Sequence, residues 1–234
     1  MRFSAGTSGF SYSEWKGTFY PKDLKSPAML RYYAGRLHSV EINNTFYRMP
    51  SPSLLEGWKS QVPSDFRFIL KAPRRITHSE KLAGSEQSLA HLLTTAAVLG
   101  ESLGPILFQL PPTFKKDLAS LTCFLSWLPQ TQPAAFEFRH PSWFSEDVYA
   151  ALGAANAALC GGDVEEVEKC PPLVPTANWG YLRLRKLSYT PAALSAWAKM
   201  ISQQPWESAY AFFKHETEGP LLAEKLDQLV SGKT

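Results

Sequence analysis

The sequence predicts a single α/β domain over residues 1–234, closed as a (β/α)₈ barrel with an irregular connection after the sixth strand. Three observations lead there. Eight short strand-like runs are nearly each followed by a helical pattern, which argues for a parallel sheet with helices packed outside it. A length of 234 residues with 44% hydrophobic and 19% charged residues suits one closed barrel with a sizeable core. The open doubly wound rival would announce itself by a phosphate-binding G-x-G-x-x-G, and the loop Gly6-Thr7-Ser8-Gly9-Phe10-Ser11 lacks that spacing.

Arg2 to Gly9 reads as the first strand, breaking into a small-residue loop and then an aromatic loop with Phe10, Tyr12, Trp15, Phe19 and Tyr20. Ser26-Pro27 opens the first helix, with a capping residue followed by proline where its missing N–H is harmless. Ser39 to Thr45 is the second strand, and Ser53 with Glu56 has capping-box spacing for the next helix. Phe66 to Lys71 is the third strand, ending in the basic loop Lys71-Ala72-Pro73-Arg74-Arg75. A long helix is expected over Gln87 to Leu103, stopped by Gly104-Pro105, with strand four at Ile106 to Leu110. Asp117 to Trp127 is helical, Ala134 to Arg139 is strand five, and Ser145 caps a helix to Ala155. Ala157 to Gly161 is strand six. The stretch Gly162 to Asn178, with three glutamates and three prolines, is expected to lack a full helix. Gly180 to Arg185, a helix from Thr190-Pro191 to Met200, Ser208 to Lys214 and an amphipathic helix from Pro220 to Val230 complete the chain.

Three strands share one design. In Ala135 to Trp143, Phe136 and Phe138 alternate with Glu137 and Arg139; in Val40 to Asn43, Val40 and Ile42 alternate with Glu41 and Asn43; in Leu182 to Arg185, leucines alternate with Arg183 and Arg185. A side-chain period of two sends each charged set to the face opposite the apolar one. The three strands therefore point to a polar barrel interior, at the strand ends where barrels of this kind place their sites.

Five ordered segments, GTSGFSYSEWKGTFYP, VEINNTFYRMPSP, FRFILKAPRRITH, LGPILFQLPPTFKKDL and FEFRHPSWF, make the chain resemble the YecE-like family, a domain of unknown function. The resemblance extends to about Asp163. It implies a barrel of the triosephosphate-isomerase type and no settled activity. Many family members carry a histidine after the seventh-strand arginine, where this chain has Arg185, and paired asparagines on strand eight, where it has Phe-Phe-Lys-His-Glu. A strand-seven histidine role does not transfer, although His215 is a nearby substitute.

The strand ends supply the candidate site: Glu41, Asn43, Lys71, Gln109, Glu137, Arg139, Asp163, Arg183, Arg185 and Lys214. Cations outnumber carboxylates there, so the mouth is expected to bind an anionic small molecule, with arginines gripping phosphate or carboxylate in pairs. Glu137 and Glu41 are the candidates for acid and base in a hydrolase-like reaction, if partial burial lifts their pKa toward neutrality; replacing Glu137 by Gln would then abolish activity. A structural ion network, Glu137 with Arg139 or Arg183 and Glu41 with Lys71, is the plain alternative. Trp15, Tyr47, His140 and Trp143 are candidates for substrate contact, the aromatics as stacking surfaces for a ring or, as an equal alternative, as a small satellite core capping the barrel.

No cofactor is expected. The five histidines form no H-x-H or H-E-x-x-H, and a divalent ion held by His140, Asp163, His215 and Glu216 is the remaining metal alternative. Nucleic acid is the second partner class, through basic loops and exposed aromatics; a non-catalytic scaffold is the third. A net charge of +3 is too small to argue for nucleic acid by itself. Three cysteines without C-x-x-C spacing are expected as reduced thiols in a cytoplasmic protein, with no membrane segment. Nothing in the sequence bears on oligomeric state.

Overall fold

In the computed structural model, which describes residues 1–214 and 217–232, eight parallel strands close into a barrel in chain order. β1 (Arg2–Ser8), β2 (Ser39–Ile42), β3 (Arg67–Lys71), β4 (Leu103–Gln109), β5 (Ala134–Glu137), β6 (Ala158–Asp163), β7 (Trp179–Leu184) and β8 (Ser208–Phe213) form the wall. The seam is shut by β8 against β1, from Arg2 opposite Ser208 to Thr7 opposite Phe213.

The outer layer is α1 (Met29–Ala34), α2 (Pro52–Lys59), α3 (Glu86–Ala96), α4 (Leu118–Ser126), α5 (Glu146–Ala154), α6 (Pro191–Ser202) and α7 (Gly219–Ser231). Between β6 and β7 the chain makes only a short helical turn at Val167–Lys169, as its prolines and glutamates lead one to expect. Apolar faces of the helices and the outward faces of the strands fill the ring between the layers. Its largest side chains are aromatic, including Tyr33, Phe66, Phe68, Phe108, Phe124 and Phe136, all fully buried.

Several boundaries differ from expectation, β2 ending at Ile42 and β5 at Glu137 among them, and two differ for identifiable reasons. α2 is capped by Ser51, whose hydroxyl accepts from the Leu54 amide, with Pro52 in the first turn; this cap-then-proline pair outcompetes the Ser53–Glu56 box. The long helix predicted to Leu103 ends at Ala96, passes into tighter turns and kinks at Gly100, whose φ of 56° is outside the helical region. The chain is thereby free to begin β4 at Leu103, so that Gly104 and Pro105 lie inside the strand. Pro105 is tolerated because it is near the strand's first residues.

Candidate functional site

The barrel interior has an apolar lower layer and an ionic upper one. Ile69, Leu107, Ala135, Cys160, Tyr181 and Phe212 pack together in the lower layer. Two residues further along the same strands stand Lys71, Gln109, Glu137 and Arg183, carried to the same side by strand alternation. Glu41, Glu137 and Arg183 are almost wholly buried.

Arg183 is the centre of this layer. Its Nη2 donates to Glu41 Oε1 at 2.8 Å and its Nη1 to Glu137 Oε2 at 2.5 Å. Glu41 further accepts from Ser8 Oγ at 2.7 Å, Tyr181 Oη at 2.7 Å and Asn43 Nδ2 at 3.0 Å. Glu137 further accepts from Arg185 Nη1 at 2.9 Å and Arg139 Nε at 3.1 Å, while Arg139 Nη2 reaches Gln109 Oε1 at 3.1 Å. Five strands, β1, β2, β4, β5 and β7, thus contribute to one network, and the sequence-derived set Glu41, Asn43, Gln109, Glu137, Arg139, Arg183 and Arg185 comes together.

The electrostatics run against the expected acid and base. Burial alone would raise the pKa of Glu137, but the guanidiniums of Arg183, Arg185 and Arg139 outweigh it and hold the carboxyl well below its usual range. At Glu41 burial is likewise overcome by Arg183 and the hydroxyls of Tyr181 and Ser8. Both groups are ionised at neutral pH and saturated with donors, which suits counterions rather than proton carriers.

Lys71 does not pair with Glu41. Its ammonium lies over the ring of Phe46, 4.2 Å from the centroid. Burial and the neighbouring Arg183 lower its pKa to about 8, with Arg139 adding to the fall and Glu137 and Glu41 opposing it. Three guanidiniums and an amine face two carboxylates, so the mouth carries surplus positive charge. Among the described residues, Arg183 Nε and Arg185 Nε are buried donors without a partner.

Other candidates stand apart from the network. Trp15 and Trp143 are buried and cannot stack a ligand as they stand: Trp15 packs edge-on against Phe19, and Trp143 stacks flat on Phe138 at 4.5 Å while its Nε1 donates to the Phe114 carbonyl. Trp15 lies in the same apolar cluster as Tyr33, Phe66 and Phe68, and Trp143 in that of Phe108, Phe124 and Phe136. Asp163 accepts from the Arg185 amide, Tyr189 Oη and Trp197 Nε1, a joint to α6 rather than a group facing the mouth. His140 caps the turn at Pro141–Trp143 by accepting from the Ser142 amide. Lys214 lies exposed beyond β8, and Tyr47 is 83% exposed at the rim. His215 and Glu216 lie outside the described residues.

Tyr181, Ser8 and His78 were not singled out from sequence. Tyr181 had a signal, since it precedes Arg183 by two residues on the same strand; Ser8 is an unremarkable strand-end residue. His78 sits in a wide helical turn, Arg75–Ser79, with its ring 5.0 Å edge-on from Phe46. Burial, followed by Lys71, Arg74 and Arg139, lowers its pKa. Among the described residues no group of three or more His, Cys, Asp or Glu could hold a metal ion, and no helix is long and apolar enough to cross a membrane.

A cavity of about 770 Å³ opens at the opposite, N-terminal end of the barrel, lined by residues that include Arg2, His38, Arg67, Asn178 and Tyr210. Size alone would favour it. The charged network is at the other end, where convergent polar groups meet strand ends, and that convergence locates the candidate site there.

Comparison with known proteins agrees with this architecture. The family described as "Protein of unknown function DUF72" matches residues 4–234. The UPF0759 protein YecE of Escherichia coli strain K12 is 35% identical over 118 residues, covering 50% of this chain and 43% of that protein. The UPF0759 protein YunF of Bacillus subtilis strain 168 is 29% identical over 143 residues, 56% of this chain and 50% of that one. The matched segments therefore span half or less of these curated relatives. A DUF72 family protein from Thermotoga maritima has the same fold, with a TM-score of 0.85 at 24% identity over 99% of this chain and 100% of its own. One from Enterococcus faecalis has a TM-score of 0.78 at 20% identity over 98% and 95%.

Proposed function

The chain belongs to the DUF72 family, which carries no assigned reaction, and from its own charged barrel mouth we propose that it acts on a small molecule bearing a phosphate or carboxylate group. Arg139, Arg185 and Lys71 bind the anion above a floor made by Arg183, Glu41 and Glu137. The observation that carries this is the excess of three guanidiniums and one amine over two carboxylates at a site where both carboxylates are already saturated. An added anion would complete the charge balance and reach the planar donors of arginine that carboxylates leave open. An enzyme fits better than a scaffold, because a buried ionic layer is a costly way to fill a barrel that packing alone could fill with aliphatic side chains. The hydrolase-like pairing of Glu137 and Glu41 as acid and base has less support, since neither is poised to release or take a proton near neutrality.

Inorganic phosphate is the first probe. Calorimetry at low salt should detect binding, and Arg139→Ala, which removes a side chain that is 38% exposed, should weaken it about tenfold or more, the usual worth of a charge-assisted hydrogen bond. Lys71 adds a pH signature: its amine is protonated below a pKa of about 8, so affinity for sulfate, an anion whose charge is constant over this range, should hold from pH 6 to 7 and decline above pH 8. Unchanged affinity in the Arg139 variant would remove the mouth as the anion site.

A second partner class is favoured by one feature, the exposed Tyr47 and Arg48 in the loop after β2 together with the exposed Arg74 and Arg75 in the loop after β3, the last paired with Glu80. Such loops could stack a base and contact phosphates. A fluorescently labelled single-stranded oligonucleotide should then bind with an affinity that falls steeply with salt; no binding at low salt excludes this partner.

A further inference from the structure

Lys71 occupies an unusual position for a basic side chain. Both buried carboxylates at the mouth are taken by arginines, and among the described residues the Lys71 amine has neither a hydrogen bond nor a contact ion pair, only the face of Phe46 at 4.2 Å. The strand end itself is fixed, because Thr45 Oγ1 donates to the Lys71 carbonyl at 2.6 Å and ties the β2 loop to β3. An amine whose sole task was to grip an anion would gain from staying charged. Crowding by Arg183 and Arg139 and partial removal from water act the other way. That environment, a partly desolvated lysine beside other cations, is the one that makes an amine nucleophilic near neutral pH.

We propose that Lys71 captures the carbonyl carbon of an aldehyde or ketone that also carries a phosphate or carboxylate group, forming an imine at the barrel mouth. This rests on the anion-binding function proposed above and names its substrate class. The neutral amine's electron pair attacks the carbonyl carbon, and the carbonyl π pair moves to oxygen, which takes up a proton to give a carbinolamine. Loss of a proton from nitrogen and departure of the hydroxyl as water, after protonation, leave the C=N bond; the net change is amine plus carbonyl to imine plus water, with no oxidant or reductant required. Arg139 and Arg185 hold the anionic end. His78, packed on the other contact of Phe46, is a largely neutral imidazole able to exchange these protons with water.

Pyridoxal 5′-phosphate, an aldehyde bearing a phosphate, is the probe. Incubation at pH 8 followed by borohydride reduction and peptide mapping should place the main adduct on Lys71, suppressed by excess inorganic phosphate and formed about tenfold less with pyridoxal, which lacks the charge-assisted contacts. Adducts scattered over surface lysines while calorimetry still detects phosphate would overturn the imine and leave the anion site standing. Absence of both phosphate binding and Lys71 labelling would remove both. Equal labelling of Lys71 by pyridoxal would overturn the anionic substrate class.

Discussion

Arg183→Met is expected to remove about 3–5 kcal/mol of folding stability, because it leaves two buried carboxylates without their shared counterion. That is a large part of the 5–15 kcal/mol of a typical domain, so the variant should show a sharply lowered urea midpoint at pH 7. The pH dependence identifies the cause. In the native protein both carboxyls have pKa values below the ordinary glutamate value, so they stabilise the fold above about pH 4.3 and that stability is lost as pH falls through their folded pKa values. Without Arg183, burial dominates at Glu41 and raises its pKa, so protonation relieves the penalty and the deficit should shrink between pH 7 and pH 4.5. A deficit that is small, or constant across that range, would mean that Arg183 is not the electrostatic keystone of the layer.

Glu137→Gln separates a counterion from a catalytic carboxylate. The amide keeps the shape and one acceptor while removing the charge that engages Arg139, Arg183 and Arg185. The freed guanidiniums should bind inorganic phosphate about tenfold more tightly, a gain of about 1.4 kcal/mol. Stability should fall, since the buried cations lose an opposing charge. A folded variant with unchanged or weaker phosphate affinity would contradict the counterion assignment and return Glu137 to the acid–base role that its position on β5 first suggested.

The barrel was legible because its cues are local. Alternation in Val40–Asn43, Phe136–Arg139 and Leu182–Arg185 marks strands with one charged face, and Thr190-Pro191 marks a helix start that the structure keeps, with Thr190 Oγ1 accepting from the Ala193 amide. The same alternation put the right charged residues inside. Which of them meet was not legible, since pairing across a closed barrel depends on stagger between strands far apart in sequence. Glu41 therefore finds Arg183 and Tyr181, 142 and 140 residues away, rather than Lys71. Loop aromatics misled for a related reason: Trp15 and Trp143 lack core periodicity because they are buried by the chain folding over the barrel end, which no local pattern records. Ser51 and Ser53 are both plausible caps, and Pro52 decides between them through its preference for the first turn.

Gly162 has a φ of 142°, and a Cβ there would fall 2.0 Å from the Arg183 carbonyl oxygen. β6 and β7 can close to their paired distance at Gly162 and Arg183 because that position carries no side chain. An alanine at 162 would have to push β7 sideways, carrying the arginine's head away from two fixed carboxylates that tolerate little displacement. The location of the guanidinium that joins both buried carboxylates is thus governed by a hydrogen atom on the neighbouring strand, and a search for sequences that keep this site should weigh that hydrogen as heavily as the ionic groups themselves.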